Sequence, residues 1–124
     1  MLRPTRAVLI IEDDLATAEM YQRALSQHYR VLTRTVEEDV LTLLSADTLH
    51  AVVLEPGPLN GPGWSLLAQL QHPPNPYAIP IVVCTSQDRR RLGTEMRVAA
   101  YLVKPVLPPT LLKIVRRLIG EDDQ

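Results

Sequence analysis

The chain has 124 residues, 46% hydrophobic and 22% charged, a composition that fits one compact domain with one core rather than a disordered tail. A formal net charge of −1 gives the molecule no overall pull toward nucleic acid or an anionic membrane. The single cysteine, Cys84, excludes an intramolecular disulfide, no apolar run reaches a membrane span, and Met1 to Pro4 is no signal peptide, so a cytoplasmic setting is expected.

Ala7 to Ile11 is a continuous apolar run that reads as a strand buried on both faces, and it ends in acid at Glu12-Asp13-Asp14. From Leu15 to about Gln27 the pattern turns helical, with Leu15, Ala18, Tyr21 and Leu25 on one apolar stripe and Asp14 as N-cap. Tyr29 to Thr35 carries β-branched residues at alternate places and reads as a strand. Glu37 to Leu44 reads as a helix with Val40, Leu41, Leu43 and Leu44 inward and Glu37 and Glu38 in its first turn.

Ala51 to Leu54 is a second buried strand; it ends in Glu55, which is followed by three prolines and three glycines within eight positions, the first of them, Pro56, stopping the strand. Trp64 to Gln71 predicts a short helix closed by Pro73-Pro74, and Ile79 to Cys84 a strand ending in the hydroxyls Thr85 and Ser86. Residues 88–98 are weakly helical and contain Arg89-Arg90-Arg91; Ala100 to Val103 is a last strand, ending at Lys104-Pro105. Thr110 to Ile119 closes the chain as an amphipathic helix with Gly120 as its stop, and Glu121 to Gln124 should fray.

Five strands alternating with five helices predict an α/β domain, a five-stranded parallel sheet with helices on both faces. In the doubly wound order 2-1-3-4-5, ligands bind at the carboxyl ends of the strands, where the first and third strands meet. Glu12, Asp13 and Glu55 would gather there, with Thr85 and Lys104 around the same crevice. Carboxylates and a backbone carbonyl suit a hard divalent cation, while a lysine and a threonine suit phosphoryl oxygens.

From Arg6 to Gly120 the chain resembles the receiver domain of two-component response regulators, a flavodoxin-like (CheY-like) family. The residues that carry the resemblance are Glu12-Asp13 after the first strand, Thr85 after the fourth and Lys104-Pro105 after the fifth. Gly63 stands at the family's usual distance after the phosphoacceptor, and Tyr101 at the place of its switch aromatic. The resemblance implies a single receiver-like domain over residues 1–124. It makes Asp13 the principal ligand of Mg²⁺, has Glu12 act through water, and gives the Gly57 carbonyl and the residue at position 55 as further ligands. Lys104 would pair with the phosphorylated side chain, and the Lys104–Pro105 bond would be cis.

Two departures stand out. The phosphoacceptor is aspartate in the family and Glu55 here, which carries the carboxylate outward by about 1.5 Å. Only 16 positions separate Thr85 from Tyr101 (101 − 85), about three fewer than usual, and Arg97-Val98 replaces the usual Gly-Ala, so the fourth helix should be shortened. These departures point to a degenerate receiver, a pseudo-receiver that acts by protein–protein contact and is no enzyme, with Mg²⁺ bound weakly or not at all. Its expected partner is a signalling protein, a histidine kinase or a downstream effector; a homodimer is compatible with the pattern, nucleic acid and membrane are not expected.

Two alternatives differ in kind: a receiver that still accepts phosphate from a histidine kinase, and a flavodoxin-like small-molecule binder, for which no nucleotide or flavin signature is present. Plainer readings stand beside the functional ones. Glu55 and Lys104 could form a structural ion pair, Glu12-Asp13-Asp14 a helix-start acidic cluster, and Arg89-Arg90-Arg91 a solvated face or a surface for an acidic partner. Cys84 reads as a packed core residue, and His28, His50 and His72 lack ligand spacing.

Overall fold

All five side chains of Ala7–Ile11 (β1) are fully buried, because a central strand of a two-faced sheet has core on both sides. The structure, a computed structural model, describes residues 6–36, 38–46, 48–71 and 79–120. In chain order the elements after β1 are α1 (Leu15–Leu25), β2 (Arg30–Arg34), α2 (Val40–Ala46), β3 (Ala51–Leu54) and α3 (Pro62–Gln71). There follow β4 (Ile81–Thr85), α4 (Arg90–Glu95), β5 (Ala100–Val103) and α5 (Pro108–Ile119). The sheet is parallel throughout in the order β2-β1-β3-β4-β5, as expected.

Alternation along each strand divides the core between two layers. Leu9, Ile11, Val52, Leu54 and Val83 face one way, onto Val40 and Leu44 of α2 and Trp64, Leu67 and Leu70 of α3. Val8, Ile10, Val53, Val82 and Cys84 face the other, onto Tyr21 and Leu25 of α1 and Leu111 and Val115 of α5. Cys84 is a buried core thiol, and burial pushes it up to about 12. His50 is structural too: its Nδ1 accepts the Ala7 backbone N–H at 3.1 Å, tying β3 to β1.

Several element ends depart from expectation. Leu15 is 75% exposed rather than inward, since it sits at the start of α1 beyond the sheet's edge, while Asp14 caps the helix as predicted by accepting from the Thr17 N–H at 3.0 Å. Helix α2 begins at Val40, not Glu37, because Asp39 caps it through the Thr42 N–H at 3.0 Å. Glu38 instead closes the preceding turn, accepting from the Thr35 N–H at 2.7 Å. Both α3 and α5 start earlier than predicted, on Pro62 and Pro108, since proline fits a first helical turn whose N–H groups are unpaired anyway. Strand β4 starts two residues later than expected and ends one later, so that it includes Thr85. Helix α4 is short, as the spacing implied. Glu37, His72, Pro73-Pro74 and the tail from Glu121 lie outside the described residues.

Candidate functional site

The carboxyl ends of β1, β3 and β4 open into a crevice of about 560 Å³, lined among others by Glu12, Asp13, Glu55, Gly57, Ser86 and Gln87. Parallel packing of β1 on β3 brings Ile11 opposite Leu54, so the acids that follow each strand emerge side by side. Lys104, delivered by β5, lies between them: its ammonium is 2.7 Å from Glu12 Oε1 and 3.0 Å from Glu55 Oε1. The two glutamates use their second oxygens alike. Glu12 Oε2 accepts the Asp14 N–H and Glu55 Oε2 accepts the Gly57 N–H, each at 3.0 Å.

Glu12 is only 5% exposed, a burial a carboxylate tolerates when it is paired and hydrogen-bonded. Burial alone would lower the Lys104 ammonium, but the hydrogen bonds to Glu12 and Glu55 outweigh it and hold the group above its ordinary value. The lysine therefore stays charged at neutral pH. The Lys104–Pro105 peptide is cis.

Asp13 stands apart from this cluster, exposed, with Oδ1 accepting the Val36 N–H at 3.2 Å. Thr85 is buried, and its hydroxyl accepts the Gln87 N–H at 3.3 Å. Tyr101 is half-buried, donating its hydroxyl to the Gln87 carbonyl at 2.7 Å and accepting the Arg89 N–H at 3.0 Å. The Gly57 carbonyl accepts two donors, Trp64 Nε1 at 3.2 Å and Gln87 Nε2 at 3.0 Å.

Sequence reasoning passed over Gln87 and the indole of Trp64, yet they connect the residues it singled out. Gln87 touches Thr85, Tyr101 and Gly57, and through Gly57 it reaches Glu55 and Lys104. Its only signal in the sequence is its place two residues after Thr85, in a loop where an amide can both donate and accept.

This arrangement differs from the Mg²⁺ ligand set that the resemblance implied. A hard cation needs several free oxygens in octahedral array. Glu12 and Glu55 already hold an ammonium and a backbone amide each, and both lone pairs of the Gly57 carbonyl are engaged. Among the described residues no three His, Cys, Asp or Glu side chains gather as a cation site. As placed, the Gly57 carbonyl has no lone pair left for the ion and the Lys104 ammonium sits between Glu12 and Glu55, so the set fits the ion only once these bonds are broken.

A parallel 2-1-3-4-5 sheet with acids after β1 and β3, a hydroxyl at the end of β4 and a lysine with a cis proline after β5 is the arrangement of a receiver-like fold. Comparison with solved structures agrees. The receiver domain of HemR from Leptospira biflexa, described as non-phosphorylated, superposes with a TM-score of 0.79 at 26% identity, covering 94% of this chain and 95% of that one. A CheY-like response regulator receiver domain protein from Methanospirillum hungatei gives 0.80 at 20% identity over 94% and 95%. Response regulator DrrB of Thermotoga maritima, an OmpR/PhoB homologue, gives 0.76 at 22% identity over 96% of this chain; the chain spans only 54% of DrrB. The chain has the fold of response-regulator receivers. No protein-family model matches it.

Proposed function

We propose that the chain is a receiver-type module of two-component or phosphorelay signalling that is not phosphorylated at the usual position and acts by contact with a signalling protein, a histidine kinase or a downstream effector. The observation that carries this reading is the state of Glu55. It occupies the acceptor position after β3, but one oxygen is held by Lys104 at 3.0 Å and the other by the Gly57 N–H at 3.0 Å. In-line attack on a phosphodonor needs a free carboxylate oxygen at the right reach, and glutamate sets it outward by about 1.5 Å, a displacement large enough to cost orders of magnitude in rate.

The pair supplies in its resting state what phosphorylation supplies in other receivers, an anion against the lysine, though with one charge and two oxygens instead of a phosphate's three. Contact rather than chemistry is then the output, and no catalytic step is assigned to the crevice. The crevice is poorly suited to a phosphorylated small molecule, since Glu12, Asp13, Asp14 and Glu55 line it.

Intact mass after incubation with a small acyl phosphate and Mg²⁺, run beside Glu55→Asp, tests the proposal. No adduct on the natural chain is expected. A wild-type adduct would overturn the reading and make this a working phosphoacceptor. An adduct on Glu55→Asp alone would show that only the acceptor is disabled, and no adduct on either would place the loss in the surrounding crevice as well.

A further inference from the structure

We infer that Gln87 stands in for the divalent cation at this crevice, its side-chain amide bridging the β4–α4 loop to the Gly57 carbonyl so that the site holds its shape without a metal and keeps one out. The proposal goes beyond the preceding reading and does not depend on whether Glu55 accepts phosphate, because it is tested with no phosphodonor present.

The Gly57 carbonyl is the one backbone oxygen that the β3–α3 loop was expected to offer a cation. Two N–H donors converge on it instead, Trp64 Nε1 at 3.2 Å from α3 and Gln87 Nε2 at 3.0 Å from across the crevice. A carbonyl has two lone pairs, so the amide and the indole fill it.

Gln87 is fixed on every polar atom. Its N–H rests on the Thr85 hydroxyl at 3.3 Å, its carbonyl accepts the Tyr101 hydroxyl at 2.7 Å, and its Oε1 accepts Arg89 Nε at 3.3 Å. With Oε1 held by a donor, the Nε2 end is the one presented to Gly57, and the amide cannot turn over to offer an oxygen ligand without losing both bonds. A residue held at both backbone groups and at both ends of its side-chain amide acts as a strut, whereas an untethered glutamine could swing away when an ion arrived. Lys104 completes the exclusion, since its ammonium sits between Glu12 and Glu55 and a divalent cation near them would meet a like charge.

The sole tryptophan of the chain donates to the same carbonyl, so Trp64 fluorescence reports on the lock directly. Mg²⁺ is titrated at constant ionic strength into wild type, Gln87→Ala and Gln87→Glu, following Trp64 emission and, independently, the shift in thermal midpoint that a ligand binding only the native state must produce. Wild type should show no saturable change. Gln87→Ala frees one lone pair, so a saturable response should appear, with a midpoint at least roughly tenfold below the highest Mg²⁺ concentration at which wild type stays silent, the scale of one hydrogen bond's worth of free energy. Gln87→Glu replaces the donor with a carboxylate and should bind tighter still. Without Mg²⁺, amides of residues 55–61 should exchange faster in Gln87→Ala than in wild type.

Equal midpoints in the three proteins, or silence in all of them, would overturn the proposal. So would unchanged exchange of the β3–α3 loop in Gln87→Ala. Because Gln87 lies in a loop at the crevice rim, both variants should keep the wild-type circular dichroism spectrum, so a silent titration would not be a failure to fold.

Discussion

Arg97 holds a left-handed backbone conformation, φ 62°, in which a side chain costs about 1–2 kcal/mol relative to the right-handed region. The conformation is imposed by the end of α4. The Val98 N–H reaches back to the Gly93 carbonyl at 3.1 Å and the Arg97 N–H to the Thr94 carbonyl at 3.1 Å, the pair of bonds of a Schellman motif, whose left-handed residue is usually glycine. Gln71 Nε2 secures the Arg97 carbonyl from α3 at 2.9 Å. Glycine would relieve the strain and keep every one of these backbone bonds, losing part of the gain to a more flexible unfolded chain. Arg97→Gly should therefore stabilise the protein by about 0.5–1 kcal/mol in urea unfolding, with an unchanged denaturant slope. Four positions earlier Gly93 carries the opposite constraint, for a Cβ there would lie 2.4 Å from Tyr101 Cδ2. Alanine in a helix normally gains about 1 kcal/mol over glycine. Here the ring must leave, and with it the bonds to Gln87 and Arg89. Gly93→Ala should bring the Tyr101 hydroxyl, raised by burial, back toward its ordinary value in a proton-resolved titration. In a Tyr101→Ala background the same substitution should become stabilising, a coupling that a double-mutant cycle measures.

Loops, more than helices or strands, decide what this site is. The β3–α3 connection folds so tightly that a Cβ on Gly63 would lie 1.9 Å from the Pro56 carbonyl oxygen, and backbone cannot move aside as a side-chain tip can. Gly63→Ala should cost about 2 kcal/mol or more by chemical denaturation, and it should broaden Trp64 emission by displacing the loop that carries Gly57. The strands were readable in the sequence because apolar runs such as Ala7 to Ile11 and Ala51 to Leu54 sit between punctuating acids and prolines. From them followed the sheet order and the meeting of Glu12, Glu55 and Lys104. Helix starts were less readable, since proline at Pro62 and Pro108 looks like an interruption until its place in the first turn is known. What Asp13 and the Gly57 carbonyl actually touch could not be read at all. Those contacts depend on Val36 and Gln87 in two separate loops and on Trp64 in α3, and no periodicity records how a loop folds back on its neighbour.

Across the whole molecule the near-neutral net charge conceals a division. Residues 12–55 carry nine acids and three bases, a net of −6, while residues 79–120 carry two acids and eight bases, a net of +6. With the sheet ordered β2-β1-β3-β4-β5, the described residues of the half that holds β1, β2 and β3 (12–36, 38–46 and 48–55) carry seven acids and three bases, those of the half that holds β4 and β5 carry two acids and eight bases, and Lys104 reaches across the boundary to Glu12 and Glu55. Such a molecule presents two unlike faces to partners, and its contacts should weaken as salt shortens the reach of each field.

On the alkaline side the pH dependence of the fold follows from three raised groups. Burial raises the Cys84 thiol to about 12 from 9.0 and raises the hydroxyl of Tyr21, its hydrogen-bonding neighbour in the α1–α5 layer. Lys104 is also raised, by its two glutamates against the effect of burial. In each case the folded state keeps a proton that the unfolded chain gives up first, so stability from these groups is intact below the unfolded values and falls as pH rises past them. Stability should thus begin to decline above about pH 9, where an unfolded cysteine ionises, and steepen beyond pH 10 as tyrosine and lysine join. Cys84 alone contributes on the order of 4 kcal/mol to that decline if its full shift is expressed. Urea midpoints measured from pH 7 to 11 should show this fall, and Cys84→Ser should flatten the portion between pH 9 and 10 even though its stability at pH 7 is lower. An equal slope in both proteins there would mean that the thiol is ionised alike in the folded and unfolded chain. In that case the native protein should also react at pH 8 with an alkylating reagent, from which a neutral, fully buried thiol is protected.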